Sequence, residues 1–180
     1  MGKNIVILSG SPRKGGNTDK LVAAFMDGAK EAGNSCTLFR VADMYIGGCV
    51  GCGHCFEVSG VCIQDDDMKP VTKALREASM LVLASPVYYF GVTAQLKLAI
   101  DRFYANMKVG LPIKSAAMLL TCGNKDDSVA EGAYAMYRHI LRAYKWEDAG
   151  VITVPGLHAV DDIGGNKALQ EAAALGRSIK

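Results

Sequence analysis

Four of the six cysteines fall in one short stretch, as Cys49-x2-Cys52-x2-Cys55-x6-Cys62. Thiolates at this spacing on an irregular backbone can converge on one metal centre, and the fourth cysteine completes the four-thiolate set of a [4Fe–4S] cluster. The run supplies ligands for a single cluster, so a cluster here needs a second redox group as its partner. Other fates stay open. Structural zinc usually takes two separated Cys-x2-Cys knuckles, whereas this stretch steps three ligands evenly. Disulfides are disfavoured in a reducing cytosol, and the thiols can remain empty. His54, inside the run, reads either as a replacement ligand or as an exposed loop residue. Asp65, Asp66 and Asp67 resemble a metal site, but three carboxylates ahead of Met68 and Pro70 more simply cap a helix. Cys36 reads as a small core residue within a strand.

A second constellation is Ser9-Gly10-Ser11-Pro12-Arg13-Lys14-Gly15-Gly16-Asn17-Thr18, directly ahead of an amphipathic pattern. Glycines and hydroxyls at a helix N-terminus offer unpaired N–H groups and the positive end of the helix dipole, which suits a phosphate. The Lys-Ser/Thr pair of a Walker loop is replaced by Gly16 and Asn17, and G-x-G-x-x-G is absent. A plain turn with Asn17 as N-cap is the alternative, but capping accounts for neither the hydroxyls nor Arg13. A third stretch, Ser85-Pro86-Val87-Tyr88-Tyr89-Phe90-Gly91-Val92, places three aromatics on a turn where a flat ring system would fit. Thr121-Cys122-Gly123-Asn124 and His158 complete the candidates. His139 lies within a helical pattern and reads as surface or packing. No Ser/His/Asp or paired-carboxylate constellation is visible.

The elements that must position these loops alternate along the chain. KNIVIL (3–8), SCTLFRV (35–41), MLVLA (80–84), AAMLLT (116–121) and VITV (151–154) read as strands covered on both faces. Between them, Leu21, Phe25 and Ala29, then Leu96, Ile100 and Phe103, then Met136, Ile140 and Leu141 recur at helical spacing. Five strands alternating with five helices predict a parallel sheet with right-handed crossovers. In such a sheet ligands sit beyond the C-terminal strand ends, where the first, third and fourth loops meet. Roughly two dozen residues separate the second strand from the helix near Asp67, far beyond the usual 2–6.

At 180 residues, 50% hydrophobic and 21% charged, the chain suits one domain with one core and needs no metal or disulfide to hold it. Twenty Lys+Arg against 18 Asp+Glu, with no basic run beyond two, give no support for nucleic-acid or acidic-membrane binding. The apolar stretch from Met80 to Val92 is too short for a bilayer and Ile5 to Leu8 is too short for a signal peptide, while Val6 stands where a myristoylation signal wants Ser/Thr. A cytoplasmic protein acting on small molecules is expected.

SGSPRKGGNT followed by SPVYYFGVTAQLKLAIDRFY resembles the flavodoxin-like superfamily of NAD(P)H-dependent FMN reductases, over essentially all 180 residues. The resemblance implies a single flavodoxin-like α/β/α sandwich over residues 1–180, with strand order 2-1-3-4-5 and a cysteine-rich insertion at about 47–64. It implies FMN, with Ser9, Ser11, Pro12, Arg13, Asn17 and Thr18 around the phosphate. Pro86, Val87, Tyr88, Tyr89, Phe90 and Gly91 would pack on the isoalloxazine, with Thr121, Cys122 and Gly123 as a third flavin loop. True flavodoxins have a shorter, threonine-rich phosphate loop, so a pure shuttle role is disfavoured. The cysteine motif resembles that of the iron-sulfur flavoproteins, a branch of the superfamily. That implies a [4Fe–4S] cluster on Cys49, Cys52, Cys55 and Cys62, taking electrons from a ferredoxin-like donor and passing them to FMN. The alternative is NAD(P)H-dependent reduction of free flavin, quinone or another small acceptor, with the cysteines idle. The resemblance also implies a homodimer or a dimer of dimers.

Overall fold

The computed structural model describes residues 2–58 and 60–180; Met1, and Ser59 within the cysteine-rich stretch, lie outside the described residues. Five strands form one all-parallel sheet in the order β2-β1-β3-β4-β5. They are β1 (Asn4–Ser9), β2 (Ser35–Arg40), β3 (Met80–Pro86), β4 (Ser115–Thr121) and β5 (Glu147–Val154). The helices are α1 (Asn17–Glu31), α2 (His54–Glu57), α3 (Met68–Leu75), α4 (Ala94–Asp101), α5 (Tyr104–Met107), α6 (Glu131–Tyr144) and α7 (Lys167–Ser178). This is the expected α/β fold with the expected strand order.

The two-residue period of a strand divides the core between the two faces. Val6 and Leu8 of β1 join Leu81 and Leu83 of β3 in a cluster covered by α3, α4 and α6. Ile5 and Ile7 join Met80 and Val82 in a second cluster under α1 and α7. The three central strands are buried almost throughout, while β2 and β5, at the sheet edges, are half exposed. α1 and α7 meet at backbone contact. A Cβ on Gly28 would stand 2.0 Å from Ala173 O, and one on Gly176 would stand 2.2 Å from Phe25 O.

β5 starts at Glu147, before the apolar VITV run that marks it in the sequence. Its first residues are polar and pair at the edge with Ser115 and Ala116, and a bulge at Ala116/Ala117 carries the strand past Gly150. The long connection after β2 holds a 3-10 turn (Val41–Asp43) and the single-turn α2 before α3 begins at Met68.

Candidate functional site

The loops leaving the C-terminal ends of β1, β3 and β4 surround one cleft of about 220 Å³. Ser11, Arg13, Asn17 and Thr18 line it from the first loop, Pro86, Val87 and Tyr88 from the second, and Thr121, Cys122 and Gly123 from the third. Leu157 and His158, after β5, close the remaining side. Ser9 lies fully buried at the end of β1, its Oγ without a hydrogen-bond partner among the described residues. Pro12 is exposed outside the cleft. Tyr89, Phe90 and Gly91 border a neighbouring pocket of about 280 Å³ with Lys97, Gly132 and Met136.

The first loop delivers an open helix end. α1 is preceded by Gly16, which makes no side-chain cap, and among the described residues the N–H groups of Asn17, Thr18 and Asp19 have no acceptor. The four leading N–H groups of a helix need such partners, so these are available to an anion. Asn17 is not the N-cap. Its Nδ2 donates to Ala159 O (2.7 Å) and its Oδ1 accepts from Ile163 N (3.2 Å), latching the segment after β5 onto the loop. Beneath, the buried hydroxyls of Thr18 and Thr121 share a 2.8 Å hydrogen bond between the first and third loops. Arg13 donates through Nη1 to His158 O at 3.0 Å, and its own N–H reaches Ser11 Oγ at 3.3 Å.

Arg40, at the end of β2, braces this loop. It donates from Nη2 to Ser11 O (3.1 Å), pairs through Nε with Asp43 (3.0 Å) and pairs with Asp19. Burial lowers its pKa, but Asp43 and Asp19 outweigh that and hold it above the ordinary value. Sequence reasoning missed Arg40 because its partners lie on other elements. It also missed Leu157, an apolar residue with no chemical signature of its own.

The second loop is locked by Thr93. Its hydroxyl donates to Gly10 O (2.8 Å) and caps α4 at Leu96 N (3.3 Å), while its N–H reaches Ser85 Oγ (3.0 Å). Beyond it the chain folds into a tight turn: Tyr88 N–H donates to Gly91 O at 2.9 Å and Gly91 N–H to Tyr88 O at 3.1 Å. The central residues, Tyr89 (φ 47°) and Phe90 (φ 69°), sit in the left-handed region. That conformation costs an L-residue about 1–2 kcal/mol, and strain of this kind concentrates at functional sites. The rings are 97% and 61% exposed, so core packing does not offset it. Gly132 lets α6 approach the turn, since a Cβ there would stand 2.3 Å from Phe90 O. In the third loop Cys122 is buried, and burial together with Asp127 and Asp126 pushes its thiol up, so it is a neutral group.

The cysteine segment is less gathered. Cys55, on α2, is buried and Cys62 is half-buried, while Cys49 and Cys52 are exposed. Among the described residues no three Cys, His, Asp or Glu side chains are grouped as metal ligands. The arrangement does not present the converged thiolate set that a cluster requires. Asp65 pairs with Lys69 (2.6 Å), and Asp66 accepts from Met68 N (3.1 Å) but is also paired with Arg102 at 2.6 Å. Asp67, at the cap position, makes no side-chain cap and instead accepts from Tyr45 N at 2.7 Å. His139 is exposed beside Arg142.

Residues 3–158 match the family of NADPH-dependent FMN reductases. The chain belongs to that family. Within it, the chain is 40% identical to an iron-sulfur flavoprotein of Methanocaldococcus jannaschii, over 97% of this chain and 94% of that one. An iron-sulfur flavoprotein of Archaeoglobus fulgidus is 31% identical, over 94% of this chain and 76% of that one. These relatives place the chain in the iron-sulfur flavoprotein branch, and the family makes it a flavin-dependent oxidoreductase. Among solved structures, the NAD(P)H:quinone oxidoreductase from Methanothermobacter marburgensis superposes with a TM-score of 0.82 at 20% identity, covering 100% of this chain and 97% of that one. At that identity the likeness speaks for the fold.

Proposed function

We propose that the cleft holds FMN and that the protein moves reducing equivalents from NAD(P)H to a small acceptor. The observation that carries this reading is the uncapped N-terminus of α1, which opens onto a cleft also lined by Arg13, the hydroxyls of Ser11, Thr18 and Thr121, and Tyr88 of the aromatic turn. Backbone N–H groups, a guanidinium and hydroxyls are the donor set a phosphate monoester requires. Ser11, Arg13, Asn17 and Thr18 would hold the phosphate, and Pro12 shapes the loop. Ser9, fully buried at the end of β1 and not among the residues lining the cleft, would support the loop from beneath. Pro86, Val87 and Tyr88 would wall one side of the ring and Thr121, Cys122 and Gly123 the other. Tyr89, Phe90 and Gly91, on the outer limb of the turn, would border the mouth by which a second planar substrate arrives.

Bound FMN accepts either a hydride or single electrons, which carries the redox chemistry. The chain's own residues bind, orient and desolvate. The neutral Cys122 thiol adds no charge beside the ring, and no protein acid or base is required. The Cys49, Cys52, Cys55 and Cys62 set is the second reading, as ligands of a [4Fe–4S] centre fed by a ferredoxin-like donor. Their spacing and the names of the relatives favour it, while the segment must close from its present conformation to bring them together. A homodimer or dimer of dimers is part of the same proposal.

Anaerobically purified protein should be yellow, retain FMN and oxidise NADH or NADPH with a quinone or free flavin as acceptor. Failure to bind FMN defeats the flavin assignment. Iron and sulfide analysis after anaerobic reconstitution separately tests the cysteine set.

A further inference from the structure

The helix end that opens onto the cleft carries a carboxylate of its own. Asp19 stands in the first turn of α1, and its N–H is one of the three left without an acceptor among the described residues. A negative charge there suits the helix dipole, but it competes with a phosphate for the same positive end. The surroundings of Asp19 resolve that conflict. Its Oδ2 accepts from Gly15 N at 2.8 Å and its Oδ1 is paired with Arg40. Both side chains of the pair are 21% exposed, so solvent screens it less than an ion pair in open water.

The same guanidinium reaches the loop at its other limb. Arg40 Nη2 donates to Ser11 O at 3.1 Å, near the start of the loop, while Asp19 holds the N–H of Gly15 at the left-handed turn (φ 67°) on the far side. Both limbs are thereby tied to the end of β2. Nε pairs with Asp43 at 3.0 Å, and Lys14 Nζ lies 3.6 Å from the same carboxylate, so two cations stand against two carboxylates and the brace is neutral. Arg13 meets no carboxylate among the described residues and keeps its charge for the cleft. Neither Arg40 nor Asp19 is among the residues lining that cleft, so the pair acts on a ligand only through the loop and through its charge.

We propose that Arg40 is a specificity-determining positioning residue: by cancelling the charge of Asp19 and fixing the loop between Ser11 and Gly15, it lets the end of α1 accept a phosphate monoester, and so sets the preference for FMN over riboflavin. The proposal rests on the reading that the cleft holds FMN. Riboflavin ends in a neutral hydroxyl, to which a stranded Asp19 carboxylate is indifferent. The phosphate of FMN is repelled by it. Lysine cannot replace Arg40 fully, because one ammonium does not address Ser11 O, Asp19 and Asp43 in the fixed directions of a planar fork.

The test titrates FMN and riboflavin, by flavin fluorescence, into flavin-free parent, Arg40→Met, Arg40→Lys and the Asp19→Asn/Arg40→Met double variant, with melting curves to establish that each is folded. Residues of one hydrogen-bond network are coupled strongly enough that Arg40→Met should bind FMN about tenfold more weakly or worse, while its affinity for riboflavin stays level. Arg40→Lys should fall between parent and Arg40→Met. The double variant should recover part of the lost FMN affinity, since the stranded charge is gone and an asparagine oxygen can still accept from Gly15 N. Should Arg40→Met fold poorly, Arg40→Lys and the double variant carry the comparison, each with a lower ratio of FMN to riboflavin affinity than the parent. Variants whose ratio equals the parent's, whether both affinities hold or both fall together, overturn the proposal, as does a double variant that binds FMN no better than a folded Arg40→Met. A parent that does not prefer FMN to riboflavin overturns the phosphate reading of the cleft itself.

Discussion

At the residue scale, the cleft assigns different tasks to side chains that look alike in the sequence. Arg13 is exposed and its guanidinium is engaged by one carbonyl, so most of its donors remain for a ligand. Charge-assisted hydrogen bonds are worth about 1.5–3 kcal/mol each. Ser11→Ala combined with Arg13→Ala should therefore weaken FMN binding well over tenfold in a fluorescence titration, and riboflavin should bind the parent poorly. Equal affinity of the parent for riboflavin and FMN would contradict the phosphate site. Asn17 behaves differently, because both ends of its amide tie down the segment at Ala159 and Ile163. The residue types of this cleft were legible in the sequence, since glycines, hydroxyls and an arginine ahead of a helix have few other uses. The latch was not, because its partners stand over 140 positions away in sequence, at |i−j| of 142 and 146.

At the element scale, short apolar runs identified the three central strands because strands buried on both faces must be apolar, and apolar or β-branched runs also marked the edge strands β2 and β5, which are half exposed rather than covered on both faces. The polar start of β5 at Glu147 escaped notice, as an edge strand can pair by backbone alone. Two predictions belong to this scale. Gly28 and Gly176 lie inside helices, where alanine is ordinarily the better residue by about 1 kcal/mol. Here a Cβ would meet backbone at 2.0 and 2.2 Å, so Gly28→Ala and Gly176→Ala should both lower the denaturant midpoint. An increase would mean that α1 and α7 separate easily.

The buried Asp66–Arg102 ion pair gives the second, through pH. Burial raises the Asp66 pKa, but the Arg102 guanidinium and the N–H groups of Gly47 and Met68 outweigh that and hold it below the ordinary carboxylate value. A depressed folded pKa stabilises fully above the unfolded value of about 3.9, and the contribution disappears as pH falls through the folded value. Asp66→Asn strands a buried guanidinium and should cost about 3–5 kcal/mol at neutral pH. The gap from the parent should narrow progressively below about pH 4. Urea midpoints across pH 2–7 check this, and a gap independent of pH would assign the loss to packing instead.

At the scale of the whole molecule, the two core clusters on the sheet faces draw almost nothing from the cysteine segment. Among its described residues the buried ones are Cys55 and Gly60, while Ile46 and Met68, which do join the core, lie outside residues 47–66. A domain of this length buries roughly 70% of its unfolded surface, enough to fold without a metal staple. Cys49→Ser and Cys52→Ser, at exposed positions, should accordingly leave the melting temperature and FMN affinity unchanged. Cys55→Ser replaces a buried thiol with a hydroxyl that needs a partner, and should cost about 1–3 kcal/mol on its own account. A structural four-thiolate centre behaves otherwise, since its binding energy is folding energy and losing any one ligand destabilises the whole domain. Melting curves of the three variants, each recorded with and without reconstituted iron, separate these cases. If Cys52→Ser melts as low as Cys55→Ser in the metal-free protein, the segment is part of the scaffold. If only Cys55→Ser falls, the cysteines are an addition to a fold already complete.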